Sequence, residues 1–391
     1  TNQEEYRRGT NTLLADSDGD GDSDGIEAAN GTDPFDPTEN EETVFDAPPA
    51  PRPTKLGTDW RRLATDPAGL ADHGVILGEP EARVQGLISF QGELLMFVYY
   101  PERVDFDTVV WRNQVWTSAD GEVWVLKDDA PDWQGTYHLY ALFVHNQKLF
   151  VAPGAGDLWE TENGTDWTRV NGDLPEPRMS LVFRSYAGRI WLFGGTQYDD
   201  GTRTLVDGNG LWSSPDGVDW TQHTDNLPFP ERSLGTASIG VADDKLWMIG
   251  GKNDDYTGVH DHEFKDVWSM EMVDGEPVWT EVLGSTGWPG RTDAGFLTVG
   301  NMIWVFGGFW WANPNQFDSG YKFQIWGSVN GANWTMLTEA PPSLPDGLSH
   351  APAVHNGGVY SHVRSTDGGA DVWGSLPSGN EAEHDYHRVE K

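Results

Sequence analysis

Apolar residues in this chain come in short bursts, not long runs. One clear series reads Leu181-Val-Phe-Arg-Ser-Tyr186, then Arg189-Ile-Trp-Leu-Phe193 ending in Gly194-Gly195, then a polar stretch, then Leu211-Trp-Ser213. Short bursts bounded by Gly and by Asp-Gly or Asn-Gly predict β-strands joined by turns. Tryptophan marks where the series recurs. Trp116, Trp159, Trp212, Trp268, Trp326 and Trp373 begin near-copies of one strand, and Trp60, Trp124, Trp167, Trp220, Trp279 and Trp334 stand at the next strand of a copy. The two sets are eight residues apart in 116/124, 159/167, 212/220 and 326/334, and eleven apart in 268/279. Trp373 has no partner after it and Trp60 has none before it, so the chain ends match each other.

A repeat of about 45–60 residues built from short apolar strands is the signature of a β-propeller. The expectation is an all-β fold: a six-bladed propeller over residues 58–380, closed by residues 59–64 pairing with the strand near Trp373. A seventh blade would need a copy the chain does not contain. Each blade is expected to carry strands a to d. Between c and d stand Ser118-Ala-Asp120-Gly121, Thr161-Glu-Asn163-Gly164, Ser214-Pro-Asp216-Gly217 and Ser328-Val-Asn330-Gly331, each followed by a Trp three residues on. Asp-Gly and Asn-Gly are the preferred pairs for a tight hairpin, because both residues tolerate positive φ; the fourth copy keeps Asp274-Gly275 in a longer hairpin. These turns lie on one face. The d–a and b–c loops lie on the other, and the b–c loops, residues 99–113, 196–209, 252–266 and 309–323, are long and rich in polar and aromatic groups.

Apolar stretch, diglycine (Gly194-Gly195, Gly250-Gly251, Gly307-Gly308), long loop and Trp together resemble the kelch repeat. The c–d motif resembles a shortened Asp box, which in sialidases and other propellers is a structural turn far from the active site. By analogy with the fold, ligands are expected at the channel mouth on the face with the longer loops. The likeness does not carry the enzymes over. Galactose oxidase is kelch-like but needs a Cys–Tyr cross-link, and this chain has no Cys. A sialidase's first arginine lies in an Arg-Ile-Pro-type motif, absent here. Bacterial kelch N-acetylneuraminate epimerases share the general shape, but their catalytic residues find no one-to-one match. No nucleophile elbow, P-loop or zincin motif appears.

Ahead of the propeller, residues 16–27 fill the calcium-loop pattern D-x-D-x-D-G-x5-E. Asp16, Asp18 and Asp20 would supply carboxylates, Gly21 the sharp turn, and Asp22 its carbonyl. Asp24 would bind directly or through water, and Glu27 with both oxygens. Continuing through Asp33-Pro34-Phe35-Asp36-Pro37, residues 13–38 resemble a bacterial thrombospondin type 3 repeat. That resemblance implies bound Ca²⁺, a second, incomplete site at Asp33 and Asp36, and an extracellular or cell-surface location. Residues 1–12 read as a tail, 39–57 as a Glu- then Pro-rich semi-rigid linker, and 381–391 as a C-terminal tail.

Charge narrows the partners. With 62 acidic and 25 basic residues the net charge is −37, which repels nucleic acid and anionic membranes. No run of 18 apolar residues exists to span a bilayer. The chain begins at Thr1 without Met or a signal peptide and reads as a mature form, processed or truncated upstream; a lipidated Cys there would anchor it.

Four arginines recur ahead of strand a: Arg83, Arg178, Arg232 and Arg291. Converging on one mouth they would hold a carboxylate or sulfate; otherwise they brace neighbouring blades. His260 and His262 flank one residue and could share a metal with Glu263 or Asp255, or stand in solvent. Trp310-Trp311, in a polar loop, offer a platform for a sugar ring, or pack between loops. The reading is an extracellular calcium-binding recognition module for a glycan or another extracellular polymer. The alternatives are a sugar epimerase or lyase at the same mouth, and a structural block that meets a surface protein.

Overall fold

The computed structural model describes residues 60–376 apart from 70–82, 106–107, 134–138, 154–156, 172–173, 176–178, 200–203, 208–209, 230–231, 233–238, 254–261, 289, 292–293, 314–315, 322–323, 340–351 and 365–369. Two compact units divide the chain, residues 1–54 and 55–391. The calcium segment, with Asp16, Asp18, Asp20, Asp22, Asp24, Glu27, Asp33 and Asp36, lies outside the described residues, as do the two tails.

Among the described residues every regular element is a strand, and the strands form six antiparallel four-stranded blades in a ring. β1 (Arg61–Ala64) is the N-terminal strand. Blade 1 is β2 (Arg83–Phe90), β3 (Glu93–Arg103), β4 (Val109–Ser118) and β5 (Val125–Asp128). Blade 2 is β6 (Leu139–His145), β7 (Lys148–Pro153), β8 (Leu158–Thr161) and β9 (Thr168–Asn171). Blade 3 is β10 (Met179–Tyr186), β11 (Arg189–Asp199), β13 (Leu211–Ser214) and β14 (Thr221–Thr224), with β12 (Thr204–Asp207) paired to the far end of β11. Blade 4 is β15 (Ile239–Ala242), β16 (Lys245–Ile249), β19 (Val267–Val273) and β20 (Glu276–Leu283), with β17 (Lys252–Asn253) and β18 (His262–Glu263) between its second and third strands. Blade 5 is β21 (Gly295–Val299), β22 (Met302–Phe306), β25 (Gln324–Ser328) and β26 (Thr335–Glu339), with β23 (Phe309–Asn313) and β24 (Gln316–Tyr321) interposed. Blade 6 is β27 (Ala353–His355), β28 (Gly358–Arg364) and β29 (Ala370–Ser375), completed by β1, whose Arg62 pairs with Trp373. The two unmatched tryptophans therefore belong to one blade, as the spacing predicts.

The inner strands read as continuous apolar runs because both of their faces are buried. Side chains alternate across a strand. On β3, Leu95 and Phe97 enter the core between blades 1 and 2, while Leu94, Met96 and Val98 enter the core between blades 6 and 1. On β11, Ile190 and Leu192 face blade 2 while Trp191 and Phe193 face blade 4. Six such clusters, one per blade interface, hold the ring together.

The c–d turns differ from the expected hairpin geometry. Asp274 and Gly275 do take positive φ (53° and 89°) as a two-residue loop between Val273 and Glu276. In the other four turns only the glycine does, at 78°, 81°, 87° and 71° for Gly121, Gly164, Gly217 and Gly331. There the preceding side chain shapes the turn. Asp216 Oδ1 accepts the backbone N–H of Val218 (2.9 Å) and Asp219 (3.3 Å), and Ser214 Oγ accepts that of Gly217 (2.8 Å). Asn163 and Asn330 make the same bonds with an amide oxygen. The turn glycine also presses on the preceding blade: a Cβ on Gly331 would stand 2.2 Å from the Trp247 ring.

Candidate functional site

Strand connections set the two faces of the ring apart. The a–b and c–d turns share one face and are short. The b–c connections leave the other face, and among the described residues those of blades 1, 3, 4 and 5 carry β-ladders, not the loops expected from the sequence. In blade 1, β3 and β4 pair continuously from Leu94↔Ser118 out to Arg103↔Val109, carrying five residue pairs beyond Val98. In blade 3, β11 runs on to pair with β12 from Thr196↔Asp207 to Asp199↔Thr204. Blade 4 carries the short β17–β18 ladder, Lys252↔Glu263 and Asn253↔His262. Blade 5 carries β23–β24, from Phe309↔Tyr321 to Asn313↔Gln316.

The first of these arms is built on a polar joint. Gln114 Nε2 donates to Asp129 Oδ1 (2.6 Å) and to the Tyr100 hydroxyl (3.3 Å), and Gln114 Oε1 accepts the Trp116 indole N–H (3.0 Å). Burial, with Asp129 nearby, pushes the Tyr100 phenol above its ordinary range. Above this joint the half-buried Trp111 meets Tyr99 edge-on at 5.5 Å between ring centroids, and Arg112 pairs with Glu102 at 2.6 Å on the surface. Trp310 and Trp311 lie on β23 of the fifth arm, opposite Gly320 and Ser319. His262 lies on β18 of the fourth arm, opposite Asn253, and His260 lies outside the described residues.

Two of the four arginines are enclosed in the framework and do not open on a mouth. Arg83 is exposed at the start of β2, and Arg178 lies outside the described residues. Arg232 and Arg291 are buried, with 1% and 3% of their surface accessible. Arg232 makes a two-pronged pair with Asp266 (2.6 and 2.8 Å), donates to the Gly250 carbonyl (2.8 Å) and lies over the Phe264 ring at 3.8 Å. Arg291 donates to the Gly307 carbonyl (2.6 Å) and to Gln324 Oε1 (3.1 Å), and lies over Trp288 at 4.9 Å. Both forks are spent on the first glycine of a diglycine and on the residue two places before a repeat tryptophan. That is the bracing arrangement, and it removes these two from an anion-binding mouth.

The position two before the tryptophan was not singled out in the sequence, although it recurs as Gln114, Asp157, Asp266, Gln324 and Asp371. Asp266 and Gln324 each accept the tryptophan's indole N–H as well as the arginine; Asp371 accepts Arg62 (3.2 Å) and the Asp66 backbone. In blade 3 the equivalent residue is Gly210, which has no side chain to offer.

A Ser–His–Glu series also forms in blade 3. Ser213 Oγ is 2.8 Å from His223 Nε2, and His223 Nδ1 is 3.7 Å from Glu276 on blade 4. Ser213 is fully buried, and its oxygen already accepts Arg189 Nε (2.8 Å). A nucleophile must reach substrate; this one is a strut. Burial pushes the His223 imidazole below its ordinary range, with Glu276 opposing.

No family model matches the chain, and no curated protein is similar to it. A solved structure titled "Structure of YjhT" is similar, at 16% identity over 56% of this chain and 70% of that one, with a TM-score of 0.45. The propeller is read from this chain's own strand pairing.

Proposed function

We propose that the propeller is a recognition module that takes carbohydrate or another extracellular polymer on its b–c face. The arms carry this reading. Four blades extend their second and third strands into ladders on one face, while the opposite face keeps turns of a few residues. Rigid elements hold binding groups better than loose loops, and Trp111, Trp310 and Trp311 sit on two of these arms. An indole gives a flat apolar face with a polar edge, suited to a sugar ring. The kelch-type pattern of diglycine and tryptophan is consistent with such a scaffold. Arg232 and Arg291, being buried, are not among the groups that would meet the polymer.

The same proposal assigns Ca²⁺ to residues 16–27, on the strength of their complete set of oxygen donors at the required spacing. Extracellular modules of this kind bind at about 10⁻⁴–10⁻³ M, which suits a secreted or surface-held protein. Calorimetric titration of the full chain should show binding in this range, and Glu27→Ala should weaken it by about tenfold or more; equal affinity in the variant would exclude the loop. The recognition reading is tested by screening the full chain on a glycan array in millimolar calcium and again with chelator. Selective retention supports it. Retention of no glycan would favour the structural block, with a protein as partner.

A further inference from the structure

Each blade ends in an outer strand that is the last of its sheet, so six backbone edges face outward. An open edge is a template for pairing with another chain, and proteins blunt it with charged or polar side chains and with proline. Five blades follow that rule. The residue after the outer-strand tryptophan is Thr168, Thr221, Thr280, Thr335 or Arg61, and the one before it is Asp or Asn in four of the five. The fifth, blade 4, has Val278 there, and Pro277 beside it carries no N–H.

Blade 1 breaks the pattern. Its outer edge reads Val123-Trp124-Val125-Leu126, and Val123, Val125 and Leu126 are 68%, 60% and 38% exposed. Single exposed apolar side chains are ordinary on a surface; three within four consecutive residues of an open edge are not. Val125 stands opposite Thr117 and Leu126 opposite Trp116, so their side chains point to opposite faces of the sheet. A strand added here would meet an apolar neighbour on both faces. The lysine of β5 does not guard the edge. Lys127 Nζ is held by Glu93 Oε2 at 2.6 Å, and its stem runs against the blade 2 turn, where a Cβ on Gly164 would stand 2.9 Å from Lys127 Cε.

Charge selects the partner. Residues 120–129 carry four carboxylates, Asp120, Glu122, Asp128 and Asp129, against the one ammonium of Lys127, and the chain as a whole carries −37. Like charges set against each other are costly at an interface, whereas opposite charges steer encounter and fix register. A second copy of this chain would bring the same carboxylates to the edge; a basic strand would neutralise them. We infer that the outer edge of blade 1 is a docking site for an extended segment of a partner protein, apolar at alternate positions and basic at its ends, which adds to β5 as a fifth strand. Main-chain hydrogen bonds supply the affinity in this mode, and the alternating side chains select the segment. The site lies on the rim of the ring, apart from the arms, and does not depend on the glycan reading.

The full chain can be titrated with labelled, end-capped peptides and followed by fluorescence anisotropy. KVTVTVK is the probe. EVTVTVE reverses its charge, KGTGTGK removes its apolar side chains, and KVPPTVK removes an N–H from each of its edges. KVTVTVK should bind about tenfold more tightly than each of the three, or better. Its lead over EVTVTVE should narrow at about 1 M salt, where charges are screened beyond about 3 Å. Val125→Thr/Leu126→Glu gives blade 1 the residues that blade 4 carries as Thr280 and Glu281. It should keep the melting temperature and weaken KVTVTVK by about tenfold or more. Hydrogen exchange on the wild type should show peptide-induced protection along Val125–Asp128 and at no other outer strand; if the variant does not fold, this map decides. Sedimentation of the peptide-free chain tests a second copy as the occupant. The inference is overturned if KVTVTVK does not bind, if any control peptide binds as well, if a folded variant binds like the wild type, or if protection falls elsewhere. It is equally overturned if the free chain forms a dimer that the variant abolishes, since a second copy would then cover the edge.

Discussion

Arg232 shows how one residue's surroundings decide between function and framework. An arginine in so acidic a chain invites a ligand, yet this one is enclosed with Asp266, the Gly250 carbonyl and two aromatic rings. Removing one partner of a buried ion pair leaves the other charge stranded, at about 3–5 kcal/mol, whereas replacing both with apolar groups is often neutral. Asp266→Ala should therefore lower the melting temperature sharply and Arg232→Met/Asp266→Leu should recover much of the loss; equal loss in both would mean that the pair's individual bonds, not the stranded charge, set the cost. The Asp-Gly turns make a pH prediction at the same scale. Backbone N–H groups, Glu122's first for Asp120 and Val218's first for Asp216, hold both carboxyls below their ordinary 3.8. Their folded pKa lies under the unfolded one, so their contribution is complete above about pH 4 and is lost as pH falls through the folded value. Asn fills the same place in Asn163 and Asn330 with the same bonds. Asp216→Asn should keep the fold at pH 7 and be less sensitive to acid below pH 4, as followed by denaturant midpoints across pH; an unchanged acid profile would count against this origin.

At the scale of elements, each blade locks to the next by a small set of recurring devices. Opposite each c-strand tryptophan the outer strand carries one extra residue, a bulge seen at Val115/Trp116, Leu158/Trp159, Leu211/Trp212, Val267/Trp268, Ile325/Trp326 and Val372/Trp373. Buried His145 and His355 tie blade 2 to blade 3 and blade 6 to blade 1: His145 Nδ1 lies 2.9 Å from Ser185 Oγ and Nε2 3.0 Å from the Pro215 carbonyl, and His355 meets Ser89 and the Ala119 carbonyl in the same way. The turn glycines complete the set. Gly331→Ala should destabilise blade 5 on two counts, a φ of +71° and a Cβ 2.2 Å from Trp247. Gly92→Ala, with φ +79° but open space around it, should cost only the backbone share, about 1–2 kcal/mol; equal costs by thermal denaturation would remove the packing argument. Blade number, strand order and closure were legible because tryptophan spacing and diglycines recur with the blade. The turn geometry was not, because Asp-Gly is the same dipeptide whether its aspartate takes positive φ, as at Asp274, or caps the turn with its side chain, as at Asp216. The arms were missed as strands because polar, aromatic-rich residues 196–209 and 309–323 lack the apolar alternation that a half-buried strand shows.

At the largest scale, residues 60–376 form a ring whose closing blade joins β1 to β29, so the two ends of the propeller are secured by one sheet. Trp60 packs in the core between blades 5 and 6, edge-on to Phe306 at 6.0 Å. Trp60→Ala should cost about 3–5 kcal/mol and expose the ring to proteolysis at blade 6 first, as read by limited digestion. Among the described residues no helix is long and apolar enough to cross a membrane. The ring presents two unlike faces, short turns on one and arms on the other, and the functional claim is that the armed face holds the ligand. Array binding of the full chain can be compared with that of Trp111→Ala and Trp310→Ala/Trp311→Ala on the arms, and of Val218→Ser on the turn face, where Val218 is 51% exposed. The account predicts that the arm variants lose glycan binding by about tenfold or more while the turn-face variant keeps it. Binding that survives loss of the arm tryptophans, or that fails in the turn-face variant, would contradict it.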